Sequence, residues 1–259
     1  MSSPNTAATA ERVALVTGAG RGIGRTVAQR LSATGRRVVL SARSADQLAE
    51  TAAGCEGPTL VVPADLTQDG AAEAVFERAE SQWGPVSDLV LNAGAGTSAR
   101  IQRTTDEDWQ RMLDLNLTAP FRCLRRALPS MIERRDGRVV AVASVAAKVG
   151  EPYIAAYTAS KHGLLGLVRS AAAEVARDGV TVNAVCPGYV DTPMTDATVE
   201  GIVAATGRTP EQAREALAHK QPTGRLVSPE EVADVVLLML SNASVTGQAY
   251  NVDGGAVPW

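Results

Sequence analysis

Aromatic residues are scarce in this chain of 259 residues: two Phe, four Tyr and three Trp. A flat cage of stacked rings is therefore not expected around any ligand. Cysteine is scarce too, with Cys55, Cys123 and Cys186 scattered at no paired spacing. They read as small apolar residues, buried in a reducing compartment, and not as a disulfide framework. The two histidines, His162 and His219, stand in no ligand-spaced cluster, so no metal is expected. Net charge is only −3, which argues against a nucleic-acid or membrane-surface binder. The longest apolar run, Val235 to Leu240, is far too short to span a bilayer. Residues 1–11 are small and polar, with no basic segment ahead of an apolar core. They read as a disordered tail and not as a secretion signal, and the expected location is the cytoplasm.

What remains is 45% apolar and sufficient for one large domain over residues 12–259. Short Val/Leu/Ala runs alternate with helical patterns. Strands are expected at Val13–Val16, Arg37–Leu40, Leu60–Val62, Leu89–Leu91, Arg138–Ala143, Val180–Val185 and Ala249–Val252. Helices are expected over Gly22–Ala33, Ala45–Ala53, Gly70–Gln82, about Asp108–Arg134, Ala155–Arg177 and Pro229–Ser241. Strands apolar on both faces belong in a parallel sheet, and strand–helix alternation makes it doubly wound, an α/β fold of the Rossmann type. The irregular stretch of about 188–226 exceeds a normal connection and is expected to be a substrate loop acting as a lid.

Three features carry chemistry. The first is the turn Thr17-Gly18-Ala19-Gly20-Arg21-Gly22-Ile23-Gly24, after the first strand and opening the first helix. Glycines permit a tight turn and close backbone approach, and the helix N-terminus presents free N–H groups to a pyrophosphate. The second is the end of the second strand, Leu40-Ser41-Ala42-Arg43, where no carboxylate waits for a ribose 2′-hydroxyl. Arg43, with Arg21 in the turn, can fork a 2′-phosphate, so NADP (NADPH) is expected and NAD less so. Both positions also suit ordinary surface arginines.

The third is Tyr157 and Lys161, four residues apart on one helix face, with Ser144 upstream at a strand end. A nearby ammonium favours the phenolate and lowers the phenol pKa from about 10. A serine hydroxyl can hold a carbonyl oxygen against that phenol. The set is a proton donor aimed at C=O or an acceptor aimed at CH–OH. A packed tyrosine and a solvated lysine are the ordinary alternatives for each residue alone.

In combination these motifs resemble the short-chain dehydrogenases/reductases, over residues of about 12–255. Thr17 to Gly24, Ile23 included, is similar to the family's glycine turn. Asp65 and Leu66 resemble the adenine contact, although Asp-Leu-Thr is also a good helix N-cap. Asn92-Ala93-Gly94 resembles the motif beside the ribose. Asn116 resembles the asparagine that completes a catalytic tetrad with Ser144, Tyr157 and Lys161, holding a water beside Lys161, which also binds the nicotinamide ribose. Pro187, Gly188, Val190 and Thr192 resemble the stretch at the nicotinamide amide. The look is nearest to bacterial ketoreductases of 3-oxoacyl thioesters and polyketides.

That resemblance implies an NADPH-dependent enzyme reducing a ketone, with a thioester carrier as a candidate partner. The alternatives are an alcohol dehydrogenase oxidising a hydroxyacyl thioester, sterol or cyclic alcohol, or a nucleotide-binding regulator without turnover. Substrate-pocket residues are expected among Gly96, Val145, Ala146, Tyr189 and Met194. Arg100, Arg103, Lys148 and Lys220 can meet an anionic group. The basic run Arg122, Arg125, Arg126, Arg134 and Arg135 can dock an acidic carrier or be a solvated helix face. A homotetramer is implied, with the helices of Asn116 and Tyr157 and the segment Ala249–Trp259 at its contacts.

Overall fold

Among the residues that the computed structural model describes, 12–257, seven apolar runs become strands. They are β1 (Val13–Thr17), β2 (Arg37–Ala42), β3 (Thr59–Pro63), β4 (Asp88–Leu91), β5 (Gly137–Val142), β6 (Val180–Pro187) and β7 (Ala249–Val252). All pair in parallel, in the order β3-β2-β1-β4-β5-β6-β7. The expected tail 1–11 and Trp259 lie outside the described residues.

Successive strand residues face opposite sides, so β1 feeds two cores. Val13 and Leu15 pack on one face with Val75, Phe76, Leu124 and Leu164. Ala14 and Val16 pack on the other with Val27, Leu31, Val232 and Met239. The first face is covered by α3 (Ala71–Trp83), α5 (Ala119–Arg134) and α6 (Ala155–Val175); the second by α1 (Gly22–Ala33), α2 (Ala45–Ala53) and α9 (Pro229–Ser241). This is the doubly wound sheet that the alternation predicts.

Two expectations need correction. The long helical stretch from about Asp108 to Arg134 is not continuous. It is α4 (Asp106–Leu113), a π-helical turn (Asp114–Thr118) and then α5. π-Turns of this kind recur at functional sites, and this one delivers the fully buried Asn116. The stretch 188–226 is not irregular. It holds α7 (Pro193–Thr206) and α8 (Pro210–Ala218), each begun by a proline in its first turn after Thr192 or Thr209. A fixed φ and a missing N–H suit that position. Val199, Ala213 and Leu217 form a small core inside this hairpin. Its base is stapled by a parallel bridge between Val190 and Val227 and by the buried Gln221 amide, whose Oε1 accepts from Tyr189 N at 3.0 Å.

The N-terminal end of the sheet holds a buried ionic cluster. Asp88, without exposed surface, accepts from Arg12 Nη2 at 2.6 Å and from Arg36 Nε at 2.7 Å. Arg12 also pairs with Asp136 at 2.8 Å. These residues join the starts of β1, β2, β4 and β5.

Candidate active site

Strand order reverses between β1 and β4, and chain connections there leave in opposite directions. In such sheets the crevice beyond the carboxyl ends is the ligand site. Thr17 closes β1 and clamps its neighbour: Thr17 Oγ1 accepts from Asn92 N and Ala93 N, each at 3.0 Å. Asn92 Nδ2 donates back to Thr17 O at 3.0 Å and Gly18 O at 3.1 Å. The Asn92 amide therefore shapes the glycine turn.

The turn fits a pyrophosphate on several observations. Gly18 and Gly22 have φ of +66° and +53°, in the left-handed region where a side chain is strained. A Cβ on Gly24 would lie 2.2 Å from Gly18 O. Helix α1 starts without a side-chain cap and without an acid in its first turn. Its leading N–H groups and dipole are thus open to an anion. Ile23 is half-buried against the second core. Thr192 lies across the turn, its Cγ2 3.2 Å from where a Gly22 Cβ would be.

At the end of β2, Arg43 and Arg21 are both exposed. Asp65 sits just after β3, and the charge of Arg43 helps to lower its pKa. The larger cause is the Thr67 hydroxyl, which donates to Asp65 Oδ1 at 2.7 Å. Asp65 closes a local turn with Thr67 and does not cap a helix; Gly70 precedes α3. Leu66 is buried in the first core.

The proton-transfer group gathers at the ends of β4, β5 and α6. Ser144 follows β5, accepts from Ala146 N at 3.1 Å, and is hydrogen-bonded to the Tyr157 side chain. Lys161 is buried and donates to Val142 O at 2.9 Å, with its Nζ 5.8 Å from the Tyr157 ring centre. Asn116 Oδ1 accepts from Ala95 N, and Asn116 Nδ2 donates to Ala95 O and to Ser160 Oγ, all at 3.0 Å. Ser160 Oγ in turn donates to Tyr157 O at 2.7 Å. Gly94 lets these parts meet, because a Cβ there would lie 2.9 Å from Asn116 Oδ1 and 3.5 Å from Lys161 Nζ.

The electrostatics differ from the expectation. Burial pushes the Tyr157 phenol above its ordinary value, opposed by the Ser144 hydrogen bond and aided by Tyr189 and Cys186. Depression by Lys161 does not figure among these causes. The lysine itself is brought down to about 8, chiefly by burial, and its Nζ is turned to a backbone carbonyl. Burial dominates both groups.

A cavity of about 450 Å³ opens beside them, lined by Val145, Val149, Gly150, Glu151, Pro152, Gly188, Tyr189, Lys220, Gln221, Ala256 and Val257. Of the expected pocket residues, Val145 and Tyr189 line it. Gly96 is near the phenol, an added Cβ lying 3.9 Å from Tyr157 Cδ2. Ala146 is buried and does not line the cavity, and Met194 is exposed on the first turn of α7. Val190 and Pro187 are buried, Val190 at the hairpin base.

Lys220 does not await a free anion; it pairs with Glu151 at 3.2 Å. The basic run on α5 is largely matched by acids: Arg122 with Asp69, Arg125 with Glu73 and Arg126 with Glu80. Cys123 and Cys186 are buried as expected, but Cys55 is only half-buried. Sequence reasoning missed Thr17 and Ser160 as parts of the site, and Glu151 and Gln221 in the wall of the cavity. Only Thr17, inside the glycine motif, offered a signal.

A sheet open at its switch point beside a phenol and a buried ammonium defines a dinucleotide-type oxidoreductase. The chain belongs to the short-chain dehydrogenase family: a model of that family, described as short chain dehydrogenase, matches residues 12–202. It is 40% identical to a protein of Streptomyces virginiae provisionally described as a ketoacyl reductase of the monensin polyketide synthase, over 94% of this chain and 96% of that one. It is 35% identical to the 3-oxoacyl-(acyl-carrier-protein) reductase FabG of Thermotoga maritima, over 95% and 98%. A solved structure of an actinorhodin polyketide ketoreductase variant with NADPH superposes with a TM-score of 0.91, at 38% identity, covering 97% of this chain and 99% of that one.

Proposed function

We propose that the protein reduces a ketone to a secondary alcohol with NADPH, with Tyr157 as proton donor. The observation that carries this reading is the placement of the phenol: Tyr157 is half-buried, hydrogen-bonded to Ser144, and within 5.8 Å of the Lys161 Nζ measured from its ring centre. The phenol can give a proton to the alkoxide formed in reduction, and the names of the relatives above, all reductases, favour that direction over oxidation of an alcohol.

When bound, NADPH supplies the hydride to the carbonyl carbon. The turn Gly18–Gly24 and the start of α1 would hold its pyrophosphate. Asp65 and Leu66 would hold the adenine, Arg21 and Arg43 the 2′-phosphate, and Asn92, Ala93 and Gly94 the wall by the ribose. Lys161 would hold ribose hydroxyls, and Pro187, Gly188, Val190 and Thr192 the nicotinamide amide. Ser144 orients the carbonyl oxygen, Tyr157 donates to it, and the chain Tyr157–Ser160–Asn116 fixes the helix turn that carries the donor. The names of the relatives support a 3-oxoacyl or polyketide thioester as substrate. We place the protein in the cytoplasm as a single domain that assembles as a homotetramer, for which sedimentation at micromolar concentration is the test.

The test of the activity is absorbance at 340 nm with NADPH or NADH against a panel of 3-oxoacyl thioesters and cyclic ketones. Ketone-dependent loss of NADPH is the expected result; an inert protein across the panel would end the reading.

A further inference from the structure

Three side chains from three separate segments meet in the wall of the 450 Å³ cavity. Glu151 comes from the loop after β5, Tyr189 from the second residue past β6, and Lys220 from the turn after α8. Tyr189 donates its hydroxyl hydrogen to Glu151 Oε2 at 3.0 Å. Lys220 Nζ donates to the same carboxylate oxygen and to the Tyr189 hydroxyl, each at 3.2 Å. All three residues line the cavity, and the walls around them include the apolar Val145, Val149, Pro152 and Val257.

The cluster spans two bodies. Glu151 stands on the strand-end loop that continues from Ser144. Tyr189 and Lys220 stand on the base of the helical hairpin, where Tyr189 also packs against the small core of Val199, Ala213 and Leu217. The hairpin base itself is held by backbone bonds and by Gln221. Its stability therefore does not need the Glu151 contact, and that contact has another consequence. It bridges the opening between loop and hairpin.

We propose that Glu151, Tyr189 and Lys220 form a polar clasp across the substrate entrance that determines which ketones the enzyme takes. The proposal rests on the reading of this cavity as the substrate site. A small ketone enters without disturbing the clasp. A long acyl thioester must lie between residue 151 and residue 220, so it parts the shared hydrogen bonds before it reaches Tyr157. A net hydrogen bond is worth about 0.5–1.5 kcal/mol, which is roughly 2–10-fold in binding. The clasp thus discriminates by a modest factor against bulky substrates and leaves the chemical step alone.

The experiment compares wild type, Glu151→Gln, Lys220→Met, the double variant and the charge-exchanged protein (Glu151→Lys with Lys220→Glu). Steady-state rates are taken with cyclohexanone and with the N-acetylcysteamine thioester of 3-oxodecanoic acid, beside NADPH affinity and thermal midpoint. Each single variant should lower KM for the thioester roughly 2–10-fold. Its kcat, both cyclohexanone constants and NADPH affinity should stay as in wild type. Glu151 is the one member on the loop side, so the double variant should do no more than Glu151→Gln, whereas Lys220→Met alone keeps the Tyr189–Glu151 bond and should do less. The charge-exchanged protein should return toward wild type. Unchanged thioester KM, additive single effects, or equal changes for both ketones would each overturn the clasp while the reductase reading stands. A wild type inert toward both ketones removes that reading and the clasp with it.

Discussion

Arg36 and Lys161 are both buried cations, one at each end of the same parallel sheet. Among the described residues only Arg36 has a carboxylate partner, the buried Asp88, which it shares with Arg12. Lys161 has a backbone carbonyl, Val142 O, and a phenol nearby. The difference is one of purpose. A guanidinium matched to a carboxylate fixes the starts of four strands. An ammonium left without a counter-charge is poised, with a pKa of about 8 that bound groups can move. A buried, perturbed lysine beside a tyrosine marks the working end of the fold.

The comparison breaks most sharply at Asp88. Asp88→Asn leaves Arg12 and Arg36 short of a charge in a buried place, and losing one partner of such a pair costs about 3–5 kcal/mol. Denaturant unfolding should show that loss, while turnover per folded molecule stays near wild type. A variant equally stable would mean that the cluster holds nothing together.

Lys161→Met should do the reverse. Its pKa falls from 10.5 to about 8 on folding. Below pH 8 the lysine is charged in both states, and folding bears the full cost of burying that charge. Between about pH 8 and 10.5 the unfolded chain holds the proton and the native one does not, so wild-type stability rises with pH from this group. The variant lacks the cost and the rise. It should be more stable at pH 7 by about 1–3 kcal/mol, at 1.36 kcal/mol per pKa unit less the lost bond to Val142. It should lose that advantage by pH 10 and turn over poorly throughout. Unfolding midpoints at both pH values check this, and a variant less stable at pH 7 would contradict it.

The smallest expected effect lies at the exposed rim. Arg43→Ala should weaken NADPH binding roughly 10–100-fold, as one charge-assisted hydrogen bond predicts, and leave NADH untouched. Ala42→Asp should invert the preference by repulsion. Calorimetric titration of both cofactors decides. Equal losses for NADPH and NADH would place Arg43 outside the 2′-phosphate site.

Periodicity made the sheet legible because β1, β4 and β6 are buried along their whole length and β2 and β5 nearly so, the edge strands β3 and β7 being only partly covered. Gly22–Ala33, Ala45–Ala53 and Pro229–Ser241 end where glycine, serine and proline signals put them. The π-turn at Asn116 carries no such signal; it is one residue of extra helix, decided by what Asn116 must reach. The helical hairpin was legible only in its Thr-Pro starts, which compete with a run rich in Thr, Gly and small residues. Glu151 and Lys220 stand 69 residues apart, and no spacing rule joins them. Four residues along a helix put Lys161 beside the Tyr157 ring but say nothing of burial, the largest cause of the phenol's upward shift.

The measurement that bears most directly on this account is the turnover of Tyr157→Phe with NADPH and a 3-oxoacyl thioester. The phenyl ring fills the same space and cofactor affinity should persist, so the account predicts a loss of roughly 10²–10⁴-fold in kcat with the fold intact. A folded, cofactor-binding Phe variant that keeps wild-type turnover would contradict it.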